Sequence, residues 1–126
     1  MTQATLTVMV VEDDLGSLYL MERYARRSGC RMVCTTRGEN ALALARQERP
    51  AAIFLDLMLP EMSGWEILRD LQADSATRDI PVILCSGLNE VEEGLEAGAA
   101  ACLHKPVYYQ DFLDALRQAG IEPPGA

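Results

Sequence analysis

The sequence predicts a three-layer, doubly wound α/β domain, with five parallel strands in one sheet and helices on both faces. Three observations predict it. Short apolar or β-rich runs alternate along the chain with segments of helical spacing, the pattern of repeated strand–helix–strand units. Two of the runs, residues 51–55 and 81–85, are apolar throughout, as strands covered on both faces require. Finally, Glu12, Asp13, Asp56, Ser86 and Lys105 each stand where a strand run ends, and doubly wound sheets bind ligands beyond the carboxyl ends of their strands.

The elements follow in order. Residues 7–11 form a β-rich run that stops at Glu12-Asp13-Asp14, and residues 16–28 carry Leu18, Met21 and Ala25 at helical spacing. Asp14 suits a helix cap. Gly29 ends that helix, residues 31–35 read as a second strand, and residues 40–47 place Ala41, Leu44 and Ala45 on one helical face. The third strand, 51–55, runs into Asp56, and a loop with Pro60 and Gly64 leads to a helix over 65–71. Residues 81–85 make a strand ending at Ser86, followed by a short helix over 90–97. Residues 100–104 supply the last strand, Lys105-Pro106 a turn, residues 110–118 the last helix, and 122–126 a Pro-rich tail. The 126 residues match one domain of typical size, ~100–150 residues, spanning 1–126 with its core over about 6–119.

Composition narrows the function. Eleven basic against nineteen acidic side chains give a net charge of −8, the wrong sign for gripping a nucleic-acid backbone directly. No apolar stretch approaches the ~18 residues of a membrane span, and residues 1–7 lack the features of a secretory leader, so a cytoplasmic protein without membrane insertion is expected. The four cysteines form no CxxC pair and a single histidine accompanies them, which argues against zinc. Cys34, Cys85 and Cys102 lie in apolar runs and are expected to be buried, with Cys30 more exposed.

Glu12, Asp13 and Asp56 brought to one sheet edge would repel one another unless a cation lay among them. All-oxygen ligation selects a hard metal, and Mg²⁺ characteristically binds through one or two carboxylates together with waters and a phosphate. Lys105 can compensate a carboxylate before reaction and a phosphoryl oxygen after it, and Ser86 offers a hydroxyl donor. Such a set can stabilise a phosphoryl group, with Asp56 as nucleophile. Taken singly, Asp56 could be a strand-end turn residue, Lys105 a solvated surface lysine and His104 an ordinary strand residue.

Val10-Val11-Glu12-Asp13-Asp14, the segment from Leu55-Asp56 through Pro60 to Ser63-Gly64, Ser86 and Lys105-Pro106 resemble the motifs of bacterial two-component receiver domains. The resemblance spans nearly the whole chain. It implies a CheY-like, flavodoxin-like fold with strand order 2-1-3-4-5 and phosphorylation of Asp56 by a sensor histidine kinase or histidine phosphotransfer protein. It further implies Mg²⁺ held by Glu12, Asp13, Asp56 and the backbone carbonyl of Met58, phosphoryl contacts from Lys105 and Ser86, and a cis bond before Pro106. The signal is then expected to leave through phosphorylation-dependent contact with a downstream protein that the sequence does not identify. Beyond its own phosphorylation and slow dephosphorylation, no enzymatic turnover is implied.

Two features depart from the family. Cys102 occupies the position, three before the lysine, that usually holds Tyr or Phe. Ser86 and Lys105 are also closer in sequence than usual, by roughly one helical turn of three to four residues, so the fourth helix or its loop is shortened. Both changes fall on the face the family uses for output, which leaves a phosphorylation-independent scaffold as the alternative reading. A phosphatase or mutase with an Asp nucleophile would usually place a second Asp two residues on, where Met58 stands, and no Gly-rich dinucleotide fingerprint follows the first strand. Met58 and Leu88, two residues beyond Asp56 and Ser86, cannot orient water by a strong hydrogen bond, so slow loss of the phosphoryl group is expected.

Overall fold

The computed structural model describes residues 6–125. Residues 1–5, which begin the segment read for a leader, and Ala126, the end of the tail, lie outside the described residues. The chain alternates β1 (Leu6–Val11), α1 (Leu15–Arg27), β2 (Cys30–Thr35), α2 (Ala41–Glu48), β3 (Ala52–Asp56), α3 (Gly64–Ala73), β4 (Val82–Ser86), α4 (Val91–Glu96), β5 (Ala101–His104) and α5 (Tyr109–Gln118), with a 3-10 turn at Gly38–Asn40 before α2. The strands form one parallel sheet in the order β2-β1-β3-β4-β5, as the resemblance implied.

Successive side chains of a strand point to opposite faces, and the sheet sorts its apolar residues accordingly. Val8, Val10, Phe54, Ile83 and Cys85 meet Met21, Ala25, Phe112 and Leu116 in one core layer. Met9, Val11, Ile53, Leu55 and Leu84 meet Ala41, Ala45, Ile67 and Leu71 in the other. Both layers are needed to bury β3 and β4, every residue of which is buried, and this explains why those two runs carry no polar face. The register pairs Val11 with Leu55, Asp56 with Cys85 and Ser86 with His104. It therefore brings Glu12, Asp56, Ser86 and Lys105 to one edge.

Local capping fixes the helices that border this edge. Asp14 caps α1, its Oδ2 accepting from the Ser17 amide at 2.8 Å and the Ser17 hydroxyl at 2.9 Å, and Ser63 caps α3 by accepting from the Trp65 amide at 3.2 Å. Gly64 opens α3 against the backbone that follows β3. A Cβ there would lie 2.6 Å from Leu57 Cα and 2.7 Å from the Asp56 carbonyl oxygen, and backbone atoms cannot step aside as a flexible side chain can. Gly64→Ala is expected to cost about 1–3 kcal/mol through overpacking. Equilibrium urea unfolding checks this, and an unchanged midpoint would contradict it.

Two expectations require correction. Cys30 is buried and Cys34 exposed, the reverse of the reading from apolar context. Both lie on β2, an edge strand, and burial along Cys30, Met32 and Cys34 falls steadily toward its C-terminal end. Cys102 is only partly buried. The Pro-rich segment is packed on the body of the domain, since the Gly125 amide donates to the Ser28 carbonyl at 2.8 Å and Pro123 is buried.

Candidate functional site

Glu12, Asp13 and Asp56 leave the ends of β1 and β3 with carboxylate oxygens that all lie within 4.8 Å of one another. Glu12 and Asp56 are buried, and Asp13 is exposed at the rim. Lys105, the only lysine of the chain, follows β5 and reaches back across the edge. Its Nζ stands 2.7 Å from Glu12 Oε1 and 3.1 Å from Asp56 Oδ2. The Lys105–Pro106 peptide bond is cis, as the resemblance implied.

Hydrogen bonds from the backbone hold the carboxylates in place. The Met58 amide donates to Asp56 Oδ1 at 3.0 Å, and the Asp14 amide to Glu12 Oε2 at 3.2 Å. One Asp56 oxygen is thus committed to the loop and the other faces the lysine. Burial pushes the Glu12 carboxyl up to about 7, the hydrogen bond and charge of Asp56 push the same way, and Lys105 opposes them. Burial also works against the Lys105 charge, but its contacts with Glu12 and Asp56 outweigh that and hold the ammonium above its ordinary value. Behind the site, burial raises the Cys85 thiol to about 12, so no thiolate competes as a nucleophile.

Ser86 is brought to the same edge. Its buried hydroxyl accepts from the Leu88 amide at 3.0 Å. Met58 is anchored by its amide while its side chain is exposed. His104 is exposed at the end of β5.

Sequence reasoning missed the wall beside the site. A cavity of about 350 Å³ opens next to Glu12, Asp56 and Lys105, with Leu20, Met21 and Tyr24 of α1 along one side and Val107 along another. The Tyr24 hydroxyl donates to the Val107 carbonyl at 2.9 Å, bracing α1 against the segment that follows Lys105. The one available signal was the position of Tyr24 three residues after Met21 on the buried stripe.

At the far side of the edge, Cys102 of β5 faces Gly94 of α4. A Cβ on residue 94 would overlap Cys102 Sγ, so the small pair lets the short helix sit close against the strand.

The donors converging here are hard carboxylate oxygens, those of Glu12 and Asp56 held by backbone hydrogen bonds, with a cation on one side. That set fits a small divalent ion of the Mg²⁺ class.

Comparison with known proteins points the same way. The response regulator receiver domain family matches residues 8–117. The polar-differentiation response regulator DivK of Brucella anthropi is 33% identical over 114 residues, covering 88% of this chain and 93% of DivK. The bacteriophytochrome response regulator RtBRR superposes with a TM-score of 0.81 at 30% identity, over 97% of this chain and 86% of its own. The receiver domain of the sensor histidine kinase PA1611 from Pseudomonas aeruginosa PAO1, solved with a magnesium ion coordinated in its active-site cleft, superposes with a TM-score of 0.82 at 26% identity, over 93% of this chain and 99% of its own.

Proposed function

The chain belongs to the response regulator receiver domain family, and from that premise we propose that Asp56 is its phosphoacceptor. The observation that carries the reading is the placement of Lys105 Nζ at 3.1 Å from Asp56 beside two further carboxylates. In the transfer, an Asp56 carboxylate oxygen forms a bond to phosphorus while the phosphorus–nitrogen bond of a phosphohistidine breaks, its electron pair returning to the imidazole. The product is an acyl phosphate. Lys105 balances charge on Asp56 beforehand and on a phosphoryl oxygen afterward, and Ser86 turns its hydroxyl from the Leu88 amide toward the phosphoryl group. Glu12, Asp13, Asp56 and the Met58 carbonyl would hold Mg²⁺, which when bound neutralises the charge of the transferring group.

The donor is a sensor histidine kinase or histidine phosphotransfer protein in the cytoplasm, and the output is contact with a downstream protein. The whole chain, 1–126, acts as one receiver domain that catalyses only its own phosphorylation and slow dephosphorylation. Incubation with acetyl phosphate and Mg²⁺, followed by reductive trapping and peptide mapping, tests the assignment. Label on any residue other than Asp56, or none at all, sinks it.

The position of the Glu12 carboxyl gives Mg²⁺ binding a defined pH dependence. Below about 7 the ion must displace a proton, so its affinity should fall by up to about tenfold per pH unit, and above that point it should level off. The metal-free protein behaves oppositely. A carboxyl raised from 4.5 to about 7 adds stability below its ordinary value, and that contribution is lost as pH rises through about 7. Calorimetric titration of Mg²⁺ across this range distinguishes the case, because a pH-independent affinity would mean that Glu12 is already ionised.

Phosphoryl lifetime depends on Met58 and Leu88, which are exposed by 65% and 59% beside the two ends of the site. Neither can orient a hydrolytic water. Introducing Met58→Asn together with Leu88→Glu should speed decay by about tenfold or more, short of the ~10²–10⁴ of full general-base catalysis. An unchanged decay curve after removal of the donor would contradict this.

A further inference from the structure

We propose that Tyr24 is a positioning residue for phosphoryl transfer: its hydroxyl fixes the backbone that carries Lys105, and so sets where the ammonium stands beside Asp56. The proposal rests on the Asp56 reading above and adds a residue that touches neither Asp56 nor the metal ligands.

Little else holds the segment that carries the lysine. The Lys105 amide donates to the Ser86 carbonyl at 2.8 Å, and the next anchored amide is that of Tyr108, which donates to Asp111 Oδ2 at 2.9 Å as α5 begins. Pro106, between them, has no N–H to give. Among the described residues, the one hydrogen bond to the intervening backbone is that of the Tyr24 hydroxyl to the Val107 carbonyl, at 2.9 Å. On its other side the same backbone borders open volume. The cavity of about 350 Å³ beside Glu12 and Asp56 is lined by Lys105, Pro106 and Val107 as well as by α1, so the segment has room to shift once the hydroxyl no longer holds it.

Tyr24 is itself referenced to the strand that bears the phosphoacceptor. Its ring lies 5.6 Å from that of Tyr109 and 5.9 Å from that of Phe112, tilted against both. Phe112 in turn stacks at 4.9 Å on Phe54, two residues before Asp56 in β3. The hydroxyl therefore carries the position of β3 across to Val107, and Val107 is joined to Lys105 through a proline whose φ is fixed. Freeing Val107 would let the Lys105 backbone sample more conformations, fewer of which keep Nζ at 2.7 Å from Glu12 and 3.1 Å from Asp56. A site whose supporting contacts are loosened keeps its groups but loses their geometry.

The test compares Tyr24→Phe, which removes the hydroxyl and keeps the ring, with Tyr109→Phe. The second is a matched control, since Tyr109 belongs to the same group of rings. Lys105 is the only lysine of the chain, so isotope labelling of lysine gives a single side-chain NMR signal. The Cε protons should be inequivalent in the wild type and in Tyr109→Phe, as for a held ammonium, and should collapse toward one averaged shift in Tyr24→Phe. This readout needs no phosphorylation. A wild type that takes up nothing from acetyl phosphate would end the Asp56 reading, and the lysine signal alone would then decide whether Tyr24 holds Lys105. In uptake from acetyl phosphate with Mg²⁺, Tyr24→Phe should lower the maximal rate by at least about fivefold, short of the ~10²-fold of an ångström-scale misplacement. The half-saturating donor concentration should not rise. An unaltered lysine signal in Tyr24→Phe, an unchanged maximal rate, or an equal loss in Tyr109→Phe would overturn the proposal.

Discussion

Asp56→Asn is expected to abolish phosphoryl uptake from acetyl phosphate, by at least about 10³-fold, without unfolding the domain. The amide has nearly the shape of the carboxylate, so its oxygen can still accept the Met58 amide that now meets Oδ1 at 3.0 Å. What disappears is the nucleophile. The substitution also removes one of three crowded negative charges, and the neighbours should report it. Asp56 contributes to the raised Glu12 carboxyl through both a hydrogen bond and its charge, so the Glu12 titration should move down toward 4.5 in the variant. Carboxyl NMR follows that shift and mass spectrometry follows the uptake. A variant labelled at the wild-type rate would mean that another group is the acceptor. Uptake lost with Glu12 unmoved would mean that Asp56 does not share the electrostatic cluster in solution.

Most of this site was legible in the sequence because its parts sit at strand ends, and strand ends are what periodicity reports well. Asp56 closes an apolar run with no polar face, and parallel pairing then aligns it with Cys85 and places Ser86 beside His104. Features that depend on contacts between distant segments were not legible. Cys34 sits in the more apolar context, yet Cys30 is the one covered, because burial along the edge strand β2 falls toward its C-terminal end. Nothing in the Pro-rich segment shows that the Gly125 amide will meet the Ser28 carbonyl, nor does the spacing of Tyr24 reveal its bond to Val107. Cys102 was read as the loss of an aromatic residue. The structure adds that a glycine on α4 faces the thiol.

Lys105→Met should affect stability and rate by separable routes. Removing the ammonium leaves two buried carboxylates facing each other, and stripping one partner from a buried pair costs about 3–5 kcal/mol. The Lys105 side chain is 28% exposed, so solvent screening reduces the expected loss to about 1–3 kcal/mol. Glu12 offsets part of it. With its lowering partner gone, its carboxyl should rise above about 7 and stay protonated at neutral pH, so the deficit should be largest in alkaline, metal-free buffer and shrink as pH falls. Mg²⁺ should also restore stability, because any cation among the three carboxylates relieves the same repulsion. It should not restore the rate. The contact with the phosphoryl oxygen belongs to the lysine, and loss of such a positioned donor costs about 10²–10³-fold in phosphorylation. Urea unfolding in chelator and in Mg²⁺, run beside acetyl phosphate kinetics, separates the two effects. Recovery of both would reduce Lys105 to a counter-charge. Because the chain has no other lysine, the wild type supplies an independent reading: amine-directed labelling of Lys105 should slow when beryllofluoride occupies Asp56.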